Sequence, residues 1–301
     1  MSVDVCWLLL KNINQQPTNN KQNITTMKKI LLLLLVFFAV SCAENDRQKA
    51  EKVFAETEKL FAENNFGAAK ILIDSIHKAF PRQVEFRRKC DTLSWKMTIA
   101  EIEVELPKLN AQIENDCLEA EKIAKNFKFF KDEKYQDVGD YEHISMNTAA
   151  NAGRNYLKPI TDEKGNFRFI STLVGRKLNY RALRASVGDT FVETQKASEN
   201  SCNLYNDFGV NYETALFNTE TAKDFILFVM QNIDNQLKIT LLGENNFSYN
   251  LTKKDADIFA ETYNFSILLK NIAENQAKKG IMETNFRGLS GRLTFRTETK
   301  K

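Results

Sequence analysis

The sequence predicts an α+β protein: an N-terminal helical hairpin and a long helix, followed by a mainly antiparallel α+β domain. Three observations predict it. Apolar residues recur at helical spacing from Arg47 to about Phe130. After Lys131-Asp132-Glu133-Lys134 the period shortens, and short β-rich runs alternate with glycine turns and two more helical stretches. The composition, 43% hydrophobic and 27% charged with only 11 Gly and 4 Pro in 301 residues, is that of a folded chain, and 22 Phe supply a sizeable aromatic core.

Taken in order, the first stretch reads as a targeting signal. Lys28-Lys29 precede an unbroken apolar run, Ile30 to Val40, that ends in Ser41 and Cys42. A positive start, a short apolar core and small residues at the cut are the pattern of a secretory signal peptide. Eleven apolar residues in a helix span about 16 Å, roughly half the hydrocarbon core, so a membrane span is the poorer reading. Ala39-Val40-Ser41-Cys42 resembles the lipobox of bacterial lipoproteins, with Ala where Leu is commoner. That resemblance implies a diacylglyceryl group on the Cys42 thiol and acylation of its freed amine. More than one acyl chain gives stable attachment. Residues 27–41 are therefore expected to be the signal and 42–50 a lipidated tether. Because Met27 starts the signal so cleanly, residues 1–26 are expected to be upstream sequence from a misassigned start. Glu44 and Asp46 after the cysteine weakly resemble the acidic signal that sends some Bacteroidota lipoproteins to the cell surface. Most often such residues are simply a solvated tether.

Next come the helices, expected over residues 51–130. Val53, Leu60, Phe61 and Ala62 mark one apolar face, and Leu72, Ile73, Ile76 and Phe80 the next. Asn64-Asn65-Phe66-Gly67 supplies the turn and Pro81 the stop. The segment from Val53 to Pro81 resembles one tetratricopeptide repeat, with Phe66, Ala69 and Pro81 at the repeat's spacing. No second copy follows, and such arrays normally need about three, so a single hairpin is expected and not a peptide-binding solenoid. A long amphipathic helix follows, from Gln83 to Phe130. Leu93, Met97, Ile102, Leu106, Leu109, Ile113, Leu118 and Ile123 form its stripe, and Pro107 is expected to kink or split it. The stripe is near-heptad, so a coiled coil is compatible with it.

The α+β domain is expected over residues 135–278. Strands are read at Asn166–Leu173, Leu178–Val187, Thr190–Thr194, Tyr212–Phe217, Leu237–Leu242 and Phe247–Leu251, with Gly175, Gly188-Asp189 and Gly243-Glu244-Asn245-Asn246 between them. Thr219–Ile233 reads as a helix. Thr252 with Asp255 is an N-cap signal opening a helix from Lys253 to about Lys278. Residues 279–301 are expected to be a tail, in part disordered. The layout, with the stretch Leu237–Lys270, resembles a family of uncharacterised lipoproteins common in Bacteroidota; that family implies no activity.

Candidate chemistry is sparse. Removing the four lysines and one aspartate of residues 1–41 from 42 basic and 39 acidic residues leaves 38 of each, so the mature chain lacks the basic excess that nucleic-acid binding requires. The histidines are His77, on the hairpin, and His143, in Asp140-Tyr141-Glu142-His143. On an extended strand Tyr141 and His143 share a face and Glu142 points away, which spoils a compact metal site. Cys90, Cys117 and Cys202 have no zinc spacing, and Cys90 and Cys117 lie about 40 Å apart on a continuous helix, so free thiols are expected. Gly288-Leu289-Ser290-Gly291 is one residue short of a nucleophile elbow, and no phosphate-binding glycine loop occurs. No cofactor and no metal are expected. Arg176, Lys177, Arg181 and Arg184, expected on one strand, form the candidate ligand-binding cluster, for an anionic glycan or lipid head group; protection of an exposed strand edge is the competing explanation. The sequence thus predicts an envelope lipoprotein of the outer membrane, on its periplasmic face or the cell surface. It is held by lipid on Cys42 and acts as a non-enzymatic interaction or structural module. An envelope partner would dock through the helical segment. The alternatives are a ligand-binding lipoprotein that holds a small molecule or glycan, and a hydrolase working with carboxylates alone.

Overall fold

The computed structural model describes residues 45–147, 151–207 and 209–298. The signal, Cys42 and the first residues of its tether lie outside them. The described residues fall into two compact units, one comprising 45–101 with 288–298 and the other 102–287. These units divide at 101/102 and 287/288, each within a long helix, whereas the expected division lay near residues 130–135.

In the first unit, helix α1 covers 45–62 and α2 covers Phe66–Ala79. Asn64 reverses the chain at φ 57, and the Asn65 side chain caps α2 by accepting from the Ala68 N–H at 3.3 Å. Helix α3, Val84–Ala124, contributes its first turns to this unit. Ala50, Phe54, Ala69, Ile73, Ile76, Phe86, Cys90, Leu93 and Met97 make one core. Inside it, burial, with Asp91 alongside, pushes the Cys90 thiol up to about 11. His77 ties α2 to α3: its Nδ1 accepts from Arg87 Nε at 3.3 Å and its Nε2 faces Asp91 at 3.2 Å.

Three expectations about the long helices are corrected. The helix read to Phe130 ends at Ala124, and Phe127–Phe130 is strand β1. Its three phenylalanines continue a helical stripe by accident; their pairing with a strand further on is non-local and leaves no periodic trace. Pro107 does not split α3. The carbonyl its ring would disturb belongs to Glu103, and both residues are exposed, so water can satisfy that carbonyl. The tail read as partly disordered from 279 is helical: the last helix, α5, runs Lys253–Glu298. Gly280, Gly288 and Gly291 weaken its propensity, while half-buried Met282, Phe286, Leu289 and Leu293 hold its apolar stripe. Ser290 therefore sits in a helix, not on a strand-to-helix elbow.

The second unit has an α+β fold with two antiparallel sheets. The six-stranded sheet runs β1-β2-β3-β4-β8-β7, built from β1, β2 (Asp140–His143), β3 (Tyr156–Asp162), β4 (Phe167–Val174), β7 (Cys202–Asp207) and β8 (Val210–Asn218). The four-stranded sheet runs β10-β9-β5-β6, from β5 (Ala182–Val187), β6 (Thr190–Glu193), β9 (Lys238–Leu242) and β10 (Phe247–Asn250). Helix α4, Thr219–Gln231, opens on a capping box between Asn218 and Thr221. One core joins both sheets to α4 and the first turns of α5, around Phe169, Phe217, Phe225, Phe259, Leu183 and Ile239.

Sequence periodicity missed β1, β2, β3 and β7. Pro159 argues against a central strand, since it donates no ladder bond. It is tolerated because β2 pairs with β3 only from Ile160 to Asp162, one residue beyond the proline. Gly165, at φ 77, turns β3 into β4 directly against α5. A Cβ there would stand 2.2 Å from the Ser266 carbonyl oxygen, so only glycine fits.

Candidate interaction surface

The four candidate cations do not share a strand. Only Arg184 lies within β5; Arg176, Lys177 and Arg181 precede it. The cause is Glu213 on β8. Its buried carboxylate accepts the Leu178 N–H at 2.7 Å and the Tyr180 N–H at 2.8 Å, so these amides serve a side chain instead of a neighbouring strand. Asn179 between them adopts φ 52. Nor do the cations converge. The Arg176 guanidinium lies over the Phe247 ring at 4.5 Å, and that of Arg184 over Phe191 at 4.3 Å beside its ion pair with Glu193. Arg181 donates to the Ala197 carbonyl at 2.7 and 2.9 Å and to Glu199 at 3.2 Å. Lys177 is simply exposed.

The other polar groups of the unit are engaged in structure. The Tyr180 hydroxyl donates to the Ser171 carbonyl at 2.8 Å. Burial drives the Tyr180 and Tyr249 phenols upward, so both stay protonated. Arg154 grips buried Asp255 with two donors, at 2.5 and 2.9 Å, and lies over the Tyr156 ring at 5.3 Å. Two buried hydroxyl groups, Ser171 Oγ and Tyr249 OH, have no hydrogen-bond partner among the described residues. Cys90, Cys117 and Cys202 are free thiols, and no group of three or more metal-ligating side chains gathers among the described residues.

His143 lies on β2 as an extended strand requires. Tyr141 and His143 point to the α5 side, where Phe265 meets Tyr141 at 5.2 Å, while Glu142 pairs with Lys158 at 2.8 Å. His143 Nδ1 accepts the Ser145 N–H at 3.1 Å, and Nε2 faces Glu261 at 3.5 Å, itself held by Asn126 at 2.7 Å. Nδ1 is thus the unprotonated nitrogen. Burial lowers the His143 pKa below 6.5, against the smaller upward pull of Glu261. A depressed histidine pKa means that the unfolded chain binds the proton more readily. The stability it contributes is therefore full above about pH 6.5 and is lost as pH falls through that value. The melting temperature should drop between pH 7 and 5, and His143→Gln should flatten that slope. An unchanged slope in the variant would show that His143 does not carry it.

A cleft of about 470 Å³ lies between the Gly165 turn, the start of α4, and Tyr263, Ile267 and Lys270 of α5; none of the four candidate cations lines it. The most distinctive surface is strand β7, one edge of the six-stranded sheet. Every residue from Asn203 to Asp207 is exposed, with Leu204 at 50% and Tyr205 at 48%, and Val210 across the turn at 37%. The Tyr205 ring stacks on its cross-strand neighbour Tyr212 at 5.2 Å, the planes 6° apart. Cys202-Asn203-Leu204-Tyr205-Asn206-Asp207 reads as loop because three of six residues are Asn or Asp. The available signal was the turn Asn206-Asp207-Phe208-Gly209 before Val210, which marks a hairpin whose first arm must be a strand.

Comparison with protein-family models, with curated proteins and with solved structures finds no match to this chain.

Proposed function

We propose that the protein is a lipid-anchored lipoprotein of the cell envelope that works as a non-enzymatic docking module, with strand β7 as its contact surface. The anchoring half of this reading rests on Lys28 to Cys42. One observation carries the docking half: as an edge strand, β7 leaves a row of backbone donors and acceptors unpaired among the described residues, flanked by exposed Leu204 and Tyr205. A partner strand laid along it would gain ladder hydrogen bonds for affinity and side-chain pockets for specificity. This shifts the expected docking surface from the helical segment to the sheet edge. Engagement of Glu213, Asp255, Arg181 and Arg184 in internal bonds favours a structural role for those charges over a chemical one.

The test is a photoreactive amino acid placed at position 205 of the full-length protein in living cells, with position 71 on α2, also exposed at 69%, as control. Irradiation should give a discrete covalent adduct from 205 and none from 71. If 204 and 205 both stay adduct-free while the protein is present at normal levels, the docking reading fails.

A further inference from the structure

We propose that the occupant of β7 is a second copy of this chain, paired antiparallel across a twofold axis at Leu204. The proposal rests on the docking reading above and names its partner.

The two sheets have four edge strands, β1 and β7 in one and β10 and β6 in the other. Exposed edge strands template further pairing, and proteins blunt them with charge, proline, bulges or cover. Three edges here are guarded in one way, by a cation laid over an aromatic ring on the edge strand. Lys128 covers Phe130 on β1 at 4.5 Å, Arg184 covers Phe191 on β6 at 4.3 Å, and Arg176 covers Phe247 on β10 at 4.5 Å. The fourth edge, β7, has no such guard. Its aromatic residue, Tyr205, stacks on another tyrosine, the strand holds no proline, and its one charge is Asp207 at its very end. A chain that protects three edges and leaves one bare has a use for the bare one.

Self-pairing fits that strand. In a twofold antiparallel pair, facing residues must lie on the same side of the extended sheet, so the axis must pass through a residue. With the axis at Leu204, that residue meets its own symmetry mate. Asn203 then faces Tyr205 of the second copy, and Cys202 faces Asn206. Asp207 falls opposite Ser201, so no like charges meet. The amides of Asn203 and Asn206 each bring both a donor and an acceptor, which lets identical strands complement one another. The pair would merge two six-stranded sheets into one and remove the bare edge from both copies. An isologous contact of this kind closes on itself and does not propagate into fibres. Attachment of both copies to one membrane would raise their effective concentration.

The test is disulfide trapping in intact cells. Leu204→Cys is introduced into the full-length protein in a Cys202→Ser background, with Ile71→Cys as control, and a mild oxidant is applied. Facing residues on paired strands come within disulfide reach. Leu204→Cys should give a band at twice the chain mass on a non-reducing gel that disappears on reduction, and Ile71→Cys none; adding Tyr205→Lys should abolish the band while circular dichroism shows the variant still folded. The purified full chain should also have twice the monomer mass at about 100 µM, where even micromolar contacts are saturated. A monomeric mass with no trapped dimer overturns the proposal. If the photoreactive residue at 205 then still yields an adduct with a different protein, the docking reading stands without self-association; if it yields none, both fall.

Discussion

Phe169→Ala should cost about 3–5 kcal/mol of stability, the range for deleting a fully buried phenylalanine. Phe169 lies on β4, in the interior of the six-stranded sheet, and is 0% exposed. Its ring stacks on Phe217 of β8 and Phe225 of α4, each at 5.4 Å, and meets Phe259 of α5 edge-on at 5.4 Å. The truncation thus leaves a void where four elements meet, and the facing rings belong to rigid neighbours that cannot collapse into it. Against a typical domain stability of roughly 5–15 kcal/mol this is a large fraction. For a unit of this size the melting temperature should fall by about 6–20 °C. Phe169→Leu, which keeps part of the volume but loses the ring contacts, should cost less than the alanine variant. Thermal and denaturant melts of both variants read the difference; equal, small losses would mean that this aromatic cluster is not the centre of the core.

Cys42→Ser should abolish lipid attachment altogether. The thiol is the only atom at that position that the lipobox-like sequence offers for a diacylglyceryl group. No helix among the described residues is long and apolar enough to cross a membrane. With Cys42 intact, growth on labelled fatty acid should label the protein, and its processed form should enter the detergent phase on detergent partition. With serine, the label should disappear completely. Label retained by Cys42→Ser would place the lipid elsewhere or show that the labelling is not covalent.

Much of the fold was legible because its signals are local. Asn64-Asn65 marked the hairpin turn, Thr252 with Asp255 the start of α5, and alternation around Gly188 and Gly243 the strands β5, β6, β9 and β10. The misses share one physical cause, a distant partner that overrides the local pattern. Phe127–Phe130 looked helical until β2 paired with it, and Pro159 hid β3 because its lost donor is harmless only where β2 stops short. Glu213, more than thirty residues away in sequence, captured the amides of Leu178 and Tyr180 and so broke the strand that was to gather the four cations. The interaction surface was the least legible part. Arg176 and Arg184 are conspicuous charges that guard edges, and β7 is distinguished by the guard it lacks. Such a contrast appears only once all four edges are known.

Mass analysis of the mature N-terminus, on protein extracted from membranes of cells expressing the full chain, tests the account most directly. The account predicts an N-terminal peptide that begins at Cys42 and carries the mass of a diacylglyceryl group, with a further acyl chain on its amine. A peptide that begins elsewhere, or an unmodified Cys42, would contradict it.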